Sequence, residues 1–516
     1  MHLLEARTVA LVKEFPKYST RPPYHPSEEL PEWPGRPVQD QDNPAYRAVR
    51  QVLVTLSLDA SNYNTPAWNP LKSFVNPGDT VILKPNLVSH RNLFDRYGLT
   101  DTDSLVTHGS VVRAVADYVA KALTGNGRII IGDCPIQGTI WTDVVALTGL
   151  DAVQHYIERA FPGVELILRD YRLATARVTG GKVIERLSSA GSIADYYEVD
   201  LKDRSLLIPL MDGKCQFGVS QYPTHRMRHA HSLTTNKYLF PKEIMKADAV
   251  INLPKLKTHM KAGVTISLKN LVGINGHKDY LPHFRFGSPR TGGDEYPGSE
   301  WLEGLTNWFA HKEWERDRGL LKLALIYATG ACNIIQRKLA GRTALDGLLG
   351  GGSWYGNDTL WRTVLDINRA FFYFDPERGE VADETASHRR YMTIVDGLVV
   401  GERESPLAPS PRACGLMLGG FSPVAVDSVG AAMMGFDIHK ISQIRMAYNL
   451  QNLPLVSFGP KEIEVRGLPG IQSLRDIYSK RVFFKCQPSR GMFGHIEFDE
   501  TGASDFNHLS SAEMPS

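Results

Sequence analysis

Short apolar runs recur along this chain, and most are broken off by proline or glycine. "TVILKPN" (80–86) stops at Pro85, "KADAVINLPK" (246–255) at Pro254 and "RYMTIVDG" (390–397) at Gly397, while "GRIIIGD" (127–133) ends in an aspartate. Runs of this length with such punctuation predict strands. Between the first two lies "HGSVVRAVADYVAKALTGNG", where Val111, Val115, Tyr118, Val119 and Ala122 recur at helical spacing before a glycine. In "FSPVAVDSVGAAMMG", Ser422 is placed to cap a helix, Pro423 to occupy its first position, and Val426, Val429 and Met433 to form its apolar stripe. Val264, Leu268 and Leu271 recur at i, i+4, i+7 and predict a further helix over "GVTISLKNLVG". Other expected elements are a helix at 149–160, short strands at 163–168 and 204–210, and helices across 300–340 and 358–370.

Strand, helix and strand in alternation predict an α/β fold, a mostly parallel open sheet flanked by helices. An inserted α+β segment is expected at about 140–245. Residues 1–45 hold seven prolines before position 40 and then Pro44, and read as a proline-rich arm, extended on the body or partly disordered. The α/β core is expected over 46–455. A small extension covers 456–516, with strands over "IEV", "RVFFKC" and "GHIEF" and a disordered end. The stretch between Asn86 and His108 is long for a connection and is expected to be functional or irregular.

Composition then narrows the chemistry. The 516 residues carry 58 basic and 56 acidic side chains, a formal net charge of +2, so no global field would draw nucleic acid or an anionic membrane. Any anion site must be local. Five dispersed cysteines without a Cys-x-x-Cys pair argue against a disulfide framework, a zinc finger or an iron–sulfur cluster. The first residues are interrupted by charge, and "ACGLMLGGFSPVAV" contains Pro423 and glycines, so neither a signal peptide nor a membrane span is expected, and the cytoplasm is the expected location.

In open parallel sheets, ligands bind beyond the carboxyl ends of the strands. The predicted strands end in Lys84 and Asn86, in Asp133, in Lys255, Lys257, Thr258 and His259, and in Asp396. Within "INLPKLKTHMKAGVTISLKNLVGINGH", Lys255, Lys257, Lys261 and Lys269 either solvate a surface or face an anion. With the predicted helix starting near Gly263, its N–H groups and these ammonium groups would suit an anion. His108 and His259 are candidates for proton transfer, although His108 or Thr107 can equally cap the helix that follows. Asp133 and Asp396 would orient those groups, or simply hold turns. Together with Glu402 they are the candidate ligands of a divalent cation, a site that Glu404 and Asp427 could extend. Asp427 interrupts an apolar helical face and needs a partner if buried. Asn357, Asp358, Arg362 and Arg369 follow the glycine-rich turn "GGGSWYGND", with Asp358 placed as a cap. Cys134 reads as a core cysteine, with a nucleophilic role as the alternative. No P-loop, Gly-x-Gly-x-x-Gly after a strand, or Gly-x-Ser-x-Gly elbow is present.

"VILKPNLV", "VTHGSVVRAVADYV", "IIIGDCP", "ADAVINLPKLKTHMKAGVTISLKNLVG" and "IVDGLVVGERESPLAPSPRACGLMLGGFSPVAVDSVGAAMMG" resemble the domain-of-unknown-function family 362, over roughly residues 78–440. "GGSWYGNDTLWRTVLDINR" is similar to a longer bacterial subgroup of it. The resemblance implies no settled reaction; the ferredoxin-type cysteine clusters of some members are missing from this chain.

The resulting expectation is an enzyme that binds a phosphorylated or carboxylated small molecule at the sheet's carboxyl edge, with a divalent cation as a possible cofactor. Lys84, Asn86, Lys255, Thr258, Lys269, Asn270, Asn357 and Arg362 would hold the substrate, and His108, His259, Asp133 and Lys257 would act on it. The alternatives are a non-catalytic sensor or carrier of an anionic metabolite, and a redox or metal-dependent protein working with a separate electron donor. A homo-oligomer formed through the arm is a further expectation.

Overall fold

Alternate residues of the central strands enter different cores. Val81, Leu83, Ile129, Ile131, Ala249 and Ile251 pack into one apolar cluster, and Ile82, Ile130 and Val250 into another on the opposite side. That is the two-faced burial an uninterrupted apolar run requires. The computed structural model describes residues 3–92, 102–179, 182–188, 191–211, 216–298, 301–340, 351–385 and 389–499. The last stretch, expected to be disordered, and residues 93–101 of the long connection lie outside them.

The main sheet has ten strands among the described residues. They are β1 (Thr8–Lys13), β2 (Thr80–Pro85), β3 (Gly127–Asp133), β4 (Val164–Asp170), β5 (Ala249–Leu253), β6 (Lys255–His259), β7 (Gly263–Thr265), β8 (Arg390–Glu404), β9 (Ala408–Gly420) and β10 (Glu464–Arg466). Their order is β10-β1-β9-β8-β5-β2-β3-β4, with β6 on β8 and β7 on β6. The run β8-β5-β2-β3-β4 is parallel throughout, and β1 and β8 are each antiparallel to β9. The sheet is mostly parallel, and the α/β class holds. Helices α1 (Pro44–Thr55), α2 (Gly109–Leu123) and α3 (Leu150–Ala160) supply residues to the first core. On the other side lie α4 (Ser267–Asn270), α5 (Leu360–Tyr373) and α6 (Pro423–Met433). Ser422 caps α6 through the Ala425 N–H, with Pro423 at its first position.

Several local expectations need correction. "KLKTH", expected beyond the end of a strand, is itself strand β6. Pro254 cannot donate to the ladder, so the chain jogs there: Ala249–Asn252 pairs with Arg390–Thr393, and beyond the proline Lys255 pairs with Asp396 and Lys257 with Gly401. Residues 263–265 form β7, antiparallel to β6, and helix begins only at Ser267. The i, i+4, i+7 spacing joined Val264, which lies in β7, to Leu268 and Leu271, which lie in α4 and the 3-10 turn that follows it. β8 does not stop at Gly397. It passes through a bulge between Gly397 and Val399 and runs on to Glu404, so Glu402 and Glu404 sit on a strand. Residues 204–210 form short 3-10 turns instead of a strand.

The proline-rich segment lies on its own chain. Thr8–Lys13 is inside the sheet between β9 and β10, Trp33 and Leu30 are buried, and Tyr24 donates to the Thr148 carbonyl at 3.1 Å. No helix among the described residues is long and apolar enough to cross a membrane.

Candidate functional site

The parallel strands share a direction, so β2, β3 and β5 end at one edge, and the polar residues that follow them meet there. Lys84, last but one in β2, forms a buried ion pair with Asp133 at the end of β3, Nζ to Oδ1 2.7 Å. The same aspartate accepts the Leu87 N–H at 2.6 Å and the Cys134 N–H at 2.9 Å. Gly273 closes over the pair so tightly that a Cβ there would stand 2.3 Å from Asp133 Oδ1 and 2.6 Å from Lys84 Nζ. Only glycine permits that approach.

A second buried pair joins β6 to β8: Lys255 Nζ lies 3.1 Å from Asp396 Oδ2 and 2.6 Å from the Tyr18 hydroxyl. Tyr18 donates in turn to Asp396 Oδ1, and the His108 N–H reaches Oδ2 at 3.0 Å. The His108 ring stacks on Tyr18 at 4.2 Å and caps α2 by accepting the Ser110 N–H at Nδ1. Burial, reinforced by the Lys255 charge, pushes the imidazole down to about 3, so it is a neutral cap.

Lys257 has no carboxylate. Its Nζ donates to Asn86 Oδ1 at 3.0 Å and to the Leu105 carbonyl at 2.6 Å, and burial with the Lys255 charge lowers its pKa well below the ordinary range. From Asn86 a chain of amides runs through Asn270 (2.9 Å) to Asn252 (2.7 Å). Asn252 meets Ser267 and the Tyr391 hydroxyl. The chain ends at Asp427, whose Oδ1 accepts the Ser267 N–H at 2.6 Å while both its oxygens accept from Leu268 at 3.3 Å. The first N–H groups of α4 are therefore committed to a protein carboxylate and do not face an anion. This is the partner that a buried Asp427 needs.

The lysines that protein acceptors leave open lie one layer further out. Lys269 Nζ and Lys278 Nζ have no hydrogen bond or ion pair among the described residues. Lys269 is half-buried; burial, then Lys278, Lys261 and Lys84, bring it down to about 7. Lys261 donates to the Gly351 carbonyl, and burial lowers it to about 8 against the pull of Glu295. Burial also lowers Lys278. Two imidazoles share this environment. His259 accepts two backbone N–H groups at Nδ1, from Lys261 (3.0 Å) and Ala262 (3.2 Å), which leaves the proton on Nε2. His283 has Nδ1 2.9 Å from the Leu281 carbonyl, which leaves a lone pair on Nε2. Burial followed by lysine charge holds both well below the usual histidine range: chiefly Lys269 for His259 and Lys278 for His283. Lys278 also lines a small cleft, partly open to solvent, with Cys134, Gln137, Arg172, Tyr222, Asn275 and His277.

The remaining sequence candidates hold structure together. Thr258 donates to the Arg403 carbonyl at 2.9 Å. Asn357, rather than Asp358, accepts the N–H groups of Thr359 and Leu360 at the start of α5, and its amide fixes the His283 carbonyl at 2.9 Å. Asp358 pairs with Arg362 at 3.1 Å, and Arg369 with Asp366 at 2.8 Å. Cys134 donates to the Tyr171 carbonyl; burial, with Asp133 and Asp170 nearby, keeps it a thiol. The carboxylates proposed for a cation are each engaged elsewhere: Asp133 by Lys84, Asp396 by Lys255, and Glu402 by the Gln487 N–H and Arg412. Among the described residues, no group of three His, Cys, Asp or Glu side chains is placed to hold a metal.

Much of this edge, from β5 through β8 to α6, lies in one contiguous stretch of sequence. Residues 217–432 match DUF362, a domain of unknown function. The DUF362 match is narrower than the span over which the sequence resembles that family; it includes Lys255, Lys257, Lys269, Lys278 and Asp396 but not Lys84 or Asp133. A thylakoid-associated protein of Synechocystis sp. is 27% identical over 201 residues, which are 39% of this chain and 40% of that protein. Two solved structures share 12% identity: a Thermotoga maritima protein (TM-score 0.28, covering 69% of this chain and 54% of that one) and the lactate racemase apoprotein of Thermoanaerobacterium thermosaccharolyticum (TM-score 0.22, 56% and 46%). Similarity at that level carries no functional argument.

Sequence reading passed over Tyr18, Lys278 and His283 and gave Lys261 no specific role. Lys278 stands just past the quoted lysine stretch, where extending the same reasoning would have found it. Tyr18 and His283 leave no local signal, because long-range packing alone brings them to the site.

Proposed function

We propose that the protein binds a small anionic molecule, phosphorylated or carboxylated, above the carboxyl edge of the sheet, and that it acts on that molecule as an enzyme. The observation that carries this reading is the pair of unneutralised ammonium groups, Lys269 and Lys278, beside the partly committed Lys261. Gathering cations in a partly buried place where, among the described residues, no carboxylate reaches Lys269 or Lys278 as an ion pair is unfavourable, and a bound anion would remove that cost. The Nε2 proton of His259 would donate to the anion, and the Nε2 lone pair of His283 would accept a proton from it. The buried pairs Lys84–Asp133, at the ends of β2 and β3, and Lys255–Asp396, between β6 and β8, brace the sheet, so the charged layer would be held before the ligand arrives.

Thermal denaturation in the presence of phosphate, pyruvate or citrate, against chloride at equal ionic strength, tests the reading. At least one of these anions is expected to raise the midpoint by several degrees, and Lys278→Ala is expected to abolish the rise. Equal midpoints in all four salts would refute it.

A further inference from the structure

An anion site needs charge, and arginine keeps its charge through burial where lysine does not. The open positions here are nevertheless lysines. Lysine offers one thing arginine cannot: once it loses its proton it is a nucleophile.

Only one of the clustered amines is placed for that. Lys84 and Lys255 have carboxylate partners, Lys257 and Lys261 donate to oxygens, and Lys278 feels the Asp133 carboxylate. Lys269 makes no hydrogen bond or ion pair among the described residues, and the charges acting on it are all cations, Lys278, Lys261 and Lys84. His283 shares those cationic neighbours, its ring held through Nδ1 on the Leu281 carbonyl and its backbone through Asn357. An amine set among cations in a half-buried site, beside an oriented neutral imidazole, is the arrangement that imine formation uses.

We propose that Lys269 forms an imine with a small anionic aldehyde or ketone whose carboxylate or phosphate is held by Lys278 and Lys261. This rests on the anion-binding reading above and names the substrate class. The Lys269 lone pair adds to the carbonyl carbon, the C–N bond forms and the carbonyl π electrons move to oxygen. His283 takes the first proton that nitrogen sheds and returns it to the alkoxide, giving a carbinolamine, and then carries the second N–H proton to that hydroxyl, which leaves as water while the C=N bond forms. One amine and one carbonyl give one imine and one water, with no change in oxidation state. The depressed pKa agrees with this: at about 7 half of Lys269 is uncharged in neutral solution, against roughly one part in 2,500 for an ordinary lysine.

The test is reductive trapping on the full chain. Protein is incubated at pH 7 with glyoxylate or pyruvate and cyanoborohydride, and the modified peptide is mapped by mass spectrometry. One secondary amine at Lys269 is expected, forming at least about tenfold faster than at surface lysines, slowed by excess phosphate and lost in Lys269→Arg. A second arm measures phosphate binding to the unmodified protein. If phosphate binds but the label is missing or spread over other lysines, the imine is overturned and anion binding stands. If phosphate does not bind and no label forms at Lys269, both are overturned.

Discussion

The Tyr18 hydroxyl sits 2.6 Å from Lys255 Nζ, joining the proline-rich segment to a strand 237 positions further along the chain. The same oxygen accepts the Val399 N–H at 3.2 Å and donates to Asp396. The N-terminal segment is thus part of the floor of the site.

Tyr18→Phe removes that oxygen and leaves a buried ammonium and a backbone N–H short of an acceptor. A loss of about 2–3 kcal/mol is expected, read as a lower urea midpoint at unchanged slope. An unaltered midpoint would mean that the hydroxyl contributes nothing.

Lys255 and Asp396 are both fully buried, so removing either leaves an uncompensated charge. Lys255→Met alone should cost about 3–5 kcal/mol, and adding Asp396→Leu should recover part of the loss. A double-mutant cycle checks this, since strictly additive losses would show that the two side chains are not coupled.

Asp427→Ala orphans the N–H groups of Ser267 and Leu268, at a cost of about 2–4 kcal/mol. Asp427→Asn keeps an acceptor and should be milder. Burial raises the Asp427 carboxyl well above the usual range. The folded state therefore holds this proton to higher pH than the unfolded state does, and wild-type stability should fall as pH rises from the ordinary carboxyl range toward that raised value. The asparagine variant should lack this slope in denaturation midpoints measured across pH.

The outcome for the sequence follows from how local each signal is. Apolar runs and caps are local, so "TVILK", "GRIIIGD", "DAVINL" and the Ser422–Pro423 helix start were legible. The rule that polar residues follow the strands of a parallel sheet paired Lys84 with Asp133 at the ends of β2 and β3, whereas Lys255 opens β6 and Asp396 lies within β8. Which cations remain open was not legible, because that depends on partners such as Tyr18 and Leu105, far away in sequence. "GVT" was misread because Val264 alone fits either period, and only the pairing of β7 with β6 decides.

Lys269 is expected to destabilise the empty protein. Its pKa is lowered to about 7, so the cost is fully present below that pH and disappears as pH rises toward the unfolded value of about 10.4. Lys269→Gln should therefore stabilise by about 0.5–2 kcal/mol at pH 7, and the gap should close by pH 10. Scanning calorimetry of both proteins across that range checks the sign.

Titration calorimetry with inorganic phosphate at pH 7 tests the central claim most directly. The account predicts a single site with a Kd below about 1 mM, weakened at least about tenfold when Lys269 and Lys278 are both replaced by glutamine. No saturable heat from the native protein, or the same affinity in the double variant, would contradict it.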